Sequence, residues 1–170
     1  NQYASIPVGG FVGDNNQIRT ITGWVKGDTT SSRIFPYTIS SSSSNQRYFT
    51  FGMYNDNGKV ICSCRNGSSS NQWQDSFTIT AETNWHQIAI TFDGTTRKLY
   101  FDGNLQTTTE SNSGTATSSS WITYANIGSS PKAYVGRGRH VSSWYSDGKI
   151  SDIKYFDRAL TDDEIEADYD

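Results

Sequence analysis

Residues 148–165 run Gly-Lys-Ile-Ser-Asp-Ile-Lys-Tyr-Phe-Asp-Arg-Ala-Leu-Thr-Asp-Asp-Glu-Ile, and no other stretch constrains the fold as much. Ile150 to Phe156 alternates β-forming with polar residues, the pattern of a strand with one wet face. Thr161 followed by Glu164 predicts a capping box, in which hydroxyl and carboxylate each satisfy a backbone N–H at a helix start. A strand, a turn and a short acidic helix are therefore expected in direct succession.

A second block, Trp85 to Gly94 running into Arg97 to Gly103, predicts a hairpin. Ile88, Ile90 and Phe92 fall on one strand face, Trp85, Gln87, Ala89 and Thr91 on the other, and Leu99 and Phe101 continue the period of two. Asp93-Gly94 and Asp102-Gly103 supply residues that tolerate positive φ, so both ends of the second strand are predicted turns. A third block comprises Tyr3 to Pro7 and Ile21 to Lys26. Together the three resemble the LamG-like jelly rolls of the concanavalin A-like lectin and glucanase superfamily. That family opens its hairpin with Trp-His, ends it with Tyr-x-Asp-Gly, and closes on Gly-x-Ile, a strand, Asn-Arg-Ala-Leu and an acidic helix. The resemblance implies an all-β, two-sheet antiparallel sandwich with a short C-terminal helix, a single domain over residues 1–170.

Composition agrees independently. The 170-residue chain has 15 Gly, 10 Tyr, 8 Phe and 5 Trp, the profile of a turn-rich β-sandwich large enough to bury its own core. A net charge of -3 gives little basis for binding a duplex, so nucleic acid is not an expected partner. No run approaches the ~18 apolar residues of a membrane span, and none reads as a signal peptide. Asn1 opens almost directly into the first predicted strand, as a processed or excised N-terminus would. Cys62 and Cys64 sit two apart on one predicted strand face, where diverging Cβ vectors disfavour a disulfide. Ser40 to Asn45, Asn66 to Gln72 and Glu110 to Ser120 are rich in small polar residues and read as turns or exposed loops. Asn55-Asp56-Asn57-Gly58 marks a hairpin turn.

Chemistry is not expected. The glucanase branch needs paired carboxylates on alternate positions of one strand, roughly 5–5.5 Å apart for a retaining reaction, and Glu82, Glu110, Glu164 and Glu166 begin no such motif. The acids of the terminal segment complement a helix dipole. His86, at the family's Trp-His position, has a structural reading, and neither it nor His140 accompanies a nucleophile elbow.

Sugar recognition is the natural reading for so many aromatic residues, because pyranose C–H faces stack on rings while hydroxyls need polar partners. Candidates are Trp73 between Gln72 and Gln74, Trp121 with Tyr124 and Asn126, His140, and Trp144-Tyr145. Each has polar neighbours at loop-like positions, whereas the family pattern places Trp24 and Trp85 in strands. The same rings also read as covers for sandwich edges. The resemblance further implies one structural Ca²⁺, with Asp152 matching the acidic position of the last strand and Asp14 offering another hard oxygen. Two functions stay open. One is a non-catalytic lectin-like module binding a glycan or polysaccharide for a larger extracellular or surface assembly. The other is a structural or adhesive jelly roll of a virion (capsid decoration or fibre) or cell-surface layer, contacting neighbouring protein chains. Neither inserts into a membrane.

Overall fold

The computed structural model describes residues 3–6, 18–41, 47–67, 72–113, 131–138 and 144–170. Its strands in chain order are β1 (Ala4–Ile6), β2 (Arg19–Gly27), β3 (Arg33–Ser41), β4 (Arg47–Tyr54), β5 (Lys59–Asn66), β6 (Gln72–Thr78), β7 (His86–Phe92), β8 (Arg97–Phe101), β9 (Asn104–Leu105), β10 (Thr109–Ser113), β11 (Pro131–Val135) and β12 (Gly148–Phe156). Among the described residues one α-helix, α1 (Asp162–Tyr169), follows the last strand. The strands form two antiparallel sheets, a larger one in the order β1-β11-β3-β4-β5-β6-β10 and a smaller one in the order β12-β2-β7-β8-β9.

The core lies between the sheets and follows from the period-two patterns. Ile21, Val25, Ile88, Ile90, Phe92 and Leu99 of the small sheet meet Phe49, Phe51, Met53, Val60, Cys62, Cys64, Trp73 and Phe77 of the large one. Both cysteines are buried and unbridged on the inner face of β5. The other face of β7 is also covered: Ala89 and Tyr100 pack with Leu160, Ile165 and Phe156. The helix thus seals the outer side of the small sheet, which is why Gln87 is buried and donates from Nε2 to the Asp168 backbone and carboxylate oxygens at 3.0 and 3.1 Å. Thr20 Oγ1 donates to the Arg158 carbonyl at 2.8 Å and accepts from the Leu160 N–H at 2.9 Å, pinning the turn into the helix.

The capping box forms as expected, with Thr161 Oγ1 accepting from the Glu164 N–H and Glu164 Oε2 from the Thr161 N–H. Asp102 and Gly103 have φ of 48° and 75°, the left-handed pair that a tight β8–β9 turn demands. Asn55–Asn57 forms a 3-10 turn closed by Gly58 at φ 60°. Three expectations are revised. Thr109 to Ser113, within or beside a stretch read as a loop, is an edge strand on β6, where backbone pairing outweighs poor β-propensity. Ser40 and Ser41 end β3 and are buried. Trp85 precedes β7 and is 39% exposed, not a strand residue. In β12 the pairing with β2 shifts between Ser151 and Lys154, where Asp152 takes φ 51°.

Candidate functional site

The strands that bury Phe49, Cys62 and Trp73 inward must present their alternate residues on the outer face of the large sheet. Register places these in rows, Tyr48 beside Arg65 beside Gln72, then Thr50 beside Ser63 beside Gln74. Gly52 and Ile61 form the next pair, and Gly52 leaves room for β3, since a Cβ there would lie 2.4 Å from the Ile34 carbonyl oxygen. All of these but Gly52, with Arg33, Tyr54, Asn57 and Trp144, line a groove of about 230 Å³. Its floor residues Tyr48, Thr50, Tyr54 and Ser63 are buried, while Arg33, Arg65, Gln72, Gln74 and Trp144 on its rim are partly exposed.

An arginine stands over aromatic rings at each end. The Arg33 guanidinium lies 5.4 Å from the Tyr54 ring and 5.2 Å from the Trp144 ring. It donates through Nε (2.8 Å) and Nη2 to Asp56 Oδ2, and that hydrogen bond raises the arginine's pKa. Trp144 stacks on buried Phe35 with centroids 6.1 Å apart and planes 15° apart. At the other end the Arg65 guanidinium is 5.6 Å from the Tyr48 ring and donates to Gln72 Oε1 at 3.0 and 2.7 Å. Gln72 Nε2 donates to Ser63 Oγ at 3.1 Å, and Ser63 donates to the Trp73 carbonyl at 3.3 Å. The groove therefore carries fixed cations, hydroxyls and amides, and among its described lining residues no carboxylate.

The predicted ligand residues separate. Trp144 lines the groove. Trp73 does not: it is 1% exposed on the inner face of β6, so its ring cannot stack on a ligand, and its neighbours Gln72 and Gln74 face the groove instead. Tyr145 points elsewhere, joining Tyr3 and Tyr134 around the Arg137 guanidinium at 5.5, 4.9 and 5.2 Å. Tyr3 and Asp147 border a wider cleft of about 960 Å³. Trp121, Tyr124, Asn126, His140 and Asp14 lie outside the described residues. Arg33, Arg65, Tyr48 and Tyr54 escaped sequence reasoning, although the alternation of β4 and β5 carries the signal that sets them opposite the core.

His86 has the expected structural setting: buried, stacked on Phe101 with centroids 4.5 Å apart, with Nδ1 2.8 Å from Asp102 Oδ2. Its Nε2 lies 3.2 Å from Glu82 Oε1 but outside hydrogen-bonding geometry. Asp75 and Glu110 face each other across β6 and β10, yet Arg97 bridges them, bonded through Nε to Asp75 and with Nη2 3.8 Å from Glu110. The space a reacting sugar would need is taken by a guanidinium. The surroundings of Asp152 do not fit calcium: its Oδ2 lies 3.4 Å from the Lys154 ammonium, and among the described residues no group of three or more acidic, His or Cys side chains is arranged to hold a metal ion. No described helix is long and apolar enough to cross a membrane.

The family model described as the concanavalin A-like lectin/glucanases superfamily matches residues 1–166. Comparison with curated proteins gives no match. Among solved structures, the Ruminococcus gnavus IT-sialidase CBM40 bound to alpha2,3 sialyllactose is similar at 18% identity and TM-score 0.72, over 92% of this chain and 84% of that one. The NanB sialidase from Streptococcus pneumoniae gives 19% and 0.69, over 96% of this chain but 26% of the sialidase. Mouse laminin alpha1 chain domains LG4-5 give 13% and 0.61, over 96% and 41%. At such identities the likeness is one of fold.

Proposed function

The chain belongs to the concanavalin A-like lectin/glucanases superfamily, and from that premise we propose that it is a non-catalytic module that binds a glycan for a larger extracellular or surface assembly. The observation that carries this reading is the groove on the outer face of β4, β5 and β6. There, buried hydroxyls and rim amides lie within reach of one small polar ring, and the half-buried Trp144 indole forms a wall. Sugar sites combine apolar ring surface with hydrogen-bonding groups fixed by a rigid scaffold. Here strands supply the scaffold, and the Ser63–Gln72–Arg65 bonds hold the side chains in place. The module in the R. gnavus neighbour, similar over most of both chains, is described with a bound sialylated sugar, which supports the same class of ligand here. A fold alone does not choose a function; the polar lining of this groove supports the glycan reading.

The test is a glycan array probed with the domain, followed by Trp144→Ala and Gln74→Ala. Binding to at least one glycan, weakened by both substitutions with the thermal melt retained, is the expected result. A folded domain that binds none of the array, or binds undiminished in both variants, overturns the proposal and returns the structural, protein-contacting reading.

A further inference from the structure

The outer face of the small sheet carries a step. α1 and the turn before it cover that face from the level of Thr20, whose hydroxyl bonds the Leu160 N–H, to that of Trp24, whose ring stacks on Tyr169 with centroids 5.4 Å apart. The strands run on past the helix. Beyond Trp24, Val25 turns inward to the core, so Lys26 faces out, and Lys149 of β12 pairs with it in register. Trp85 borders the same end of the sheet, one residue before His86, which pairs with Val25 and stacks inward on Phe101. In a chain of net charge -3, this ledge holds two ammonium groups and a tryptophan that is 39% exposed.

The ridge beside the ledge has the opposite charge. Most acids of the helix are engaged within the chain: Asp162 accepts from Lys98 and Tyr100, Asp168 from Thr22, Gln87 and Lys154, and Glu164 from Arg158. Asp163 and Glu166 are exposed and, three positions apart, share one side of the helix. Among the described residues the side chains of Asp163, Glu166, Lys26 and Lys149 make no ion pair. Acid and base thus lie on one face, sorted into ridge and ledge instead of neutralising each other.

We propose that a second copy of this chain docks on this face, each copy's α1 ridge lying on the other's ledge. A two-fold axis lying in the interface, crossing the strands at the C-terminal end of α1, exchanges ridge and ledge, so the same contact is made twice. Asp163 and Glu166 of one copy then face the partner's Lys26 and Lys149, and Trp85 supplies the large apolar anchor that such contacts centre on. A helix of 8 residues is only about 12 Å long. Two such ridges cover an area at or below the low end of the ~1,200–2,000 Å² of stable interfaces, so the association is weak and rises with local concentration. The groove lies on the outer face of the large sheet, on the other side of the sandwich, and pairing leaves both grooves open and directed apart. On the glycan reading the dimer joins two glycan-bearing surfaces, while the contact itself does not depend on that reading.

Sedimentation equilibrium of the intact chain from about 10 μM to about 1 mM is expected to show a reversible monomer–dimer equilibrium. Raising NaCl from about 0.05 to about 0.5 M should weaken it about tenfold or more by screening. Lys26→Glu alone and Glu166→Lys alone should each be monomeric where the wild type is half dimer, because like charges then meet at both contacts. Mixed in equal amounts, the two variants should pair again, since every contact in the mixed dimer matches opposite charges. Trp85→Ala should weaken association about fivefold or more, and thermal melts check that each variant is folded. If one reversed variant fails to fold, Lys149→Glu with Asp163→Lys repeats the exchange. A wild type still monomeric at the highest concentration overturns the proposal, and so do open-ended oligomers, association unchanged in all the folded variants, or reversed variants that stay monomeric when mixed. None of these measurements uses a sugar. A monomer therefore leaves the glycan reading standing, and a blank glycan array leaves the dimer standing.

Discussion

Replacing Arg97 by methionine isolates a buried ion pair of this sandwich. The Arg97 side chain is 2% exposed and Asp75 6% exposed, and the guanidinium lies 3.9 Å from the centroid of the Trp73 ring inside the core. Methionine preserves apolar bulk and a sulfur–aromatic contact with Trp73, so the dominant loss is the charge. Asp75 is left buried without its cation, a change that costs about 3–5 kcal/mol. Glu110, 3.8 Å from Arg97 with a 40% exposed side chain, adds little because water screens it. For a domain of this size about 2–4 °C of melting temperature accompanies each kcal/mol, so the midpoint should fall by about 6–20 °C. Asp75→Leu in the Arg97→Met background removes the stranded charge and should restore most of the loss. Urea melts of the wild type, both single variants and the double variant close a cycle, with a coupling of at least about 2 kcal/mol expected if burial governs the pair. A single-variant loss below about 1 kcal/mol, the range of exposed pairs, would refute the argument. So would a double variant that merely sums the two losses.

Other outcomes follow from the same geometry. Glu164 is held down from 4.5 to about 2, first by the Arg158 guanidinium and then by the Thr161 N–H. A depressed carboxylate pKa contributes stability present above about pH 4.5 and lost as pH falls through about 2. Acid titration followed by near-UV circular dichroism of the stacked Trp24 and Tyr169 should show helix release in that window, and Arg158→Gln should move it to higher pH; an unmoved transition would count against the bridge. Thr161→Ala should cost about 1 kcal/mol through loss of the N-cap, read by chemical denaturation. Gly148→Ala should destabilise by about 1–3 kcal/mol or more, because its Cβ would lie 2.1 Å from the Lys26 carbonyl oxygen; an unchanged melt would show that the backbone relaxes freely. Chelation is expected to leave the melting temperature where it was, and a clear drop would restore a bound cation to the account.

The fold was largely legible because its strongest signals are local. Thr161 and Glu164 meet within one helical turn, Asp102-Gly103 sets its own positive φ, and the Ile88-Ile90-Phe92 stripe needs only a period of two to find the core. The groove was less legible because it is made by register. Nothing local in Gln72-Trp73-Gln74 says which residue faces inward until β6 pairs with β5, and the ring that drew attention is the one the core takes. Arg33 and Trp144 are 111 positions apart in sequence and meet only across the folded sheet. The polar Thr109–Ser113 strand was misread for a related reason, since an edge strand needs a partner's backbone more than its own propensity.

β12 occupies an outer edge of the small sheet, a position where exposed backbone donors and acceptors invite pairing with another chain. The irregular register between Ser151 and Lys154, with Asp152 in the left-handed region, interrupts that template midway, and the charged Asp152 and Lys154 side chains border the interruption. An edge interrupted in this way offers a second copy of the chain only short runs of regular backbone pairing, which disfavours the joining of sandwiches into one continuous sheet.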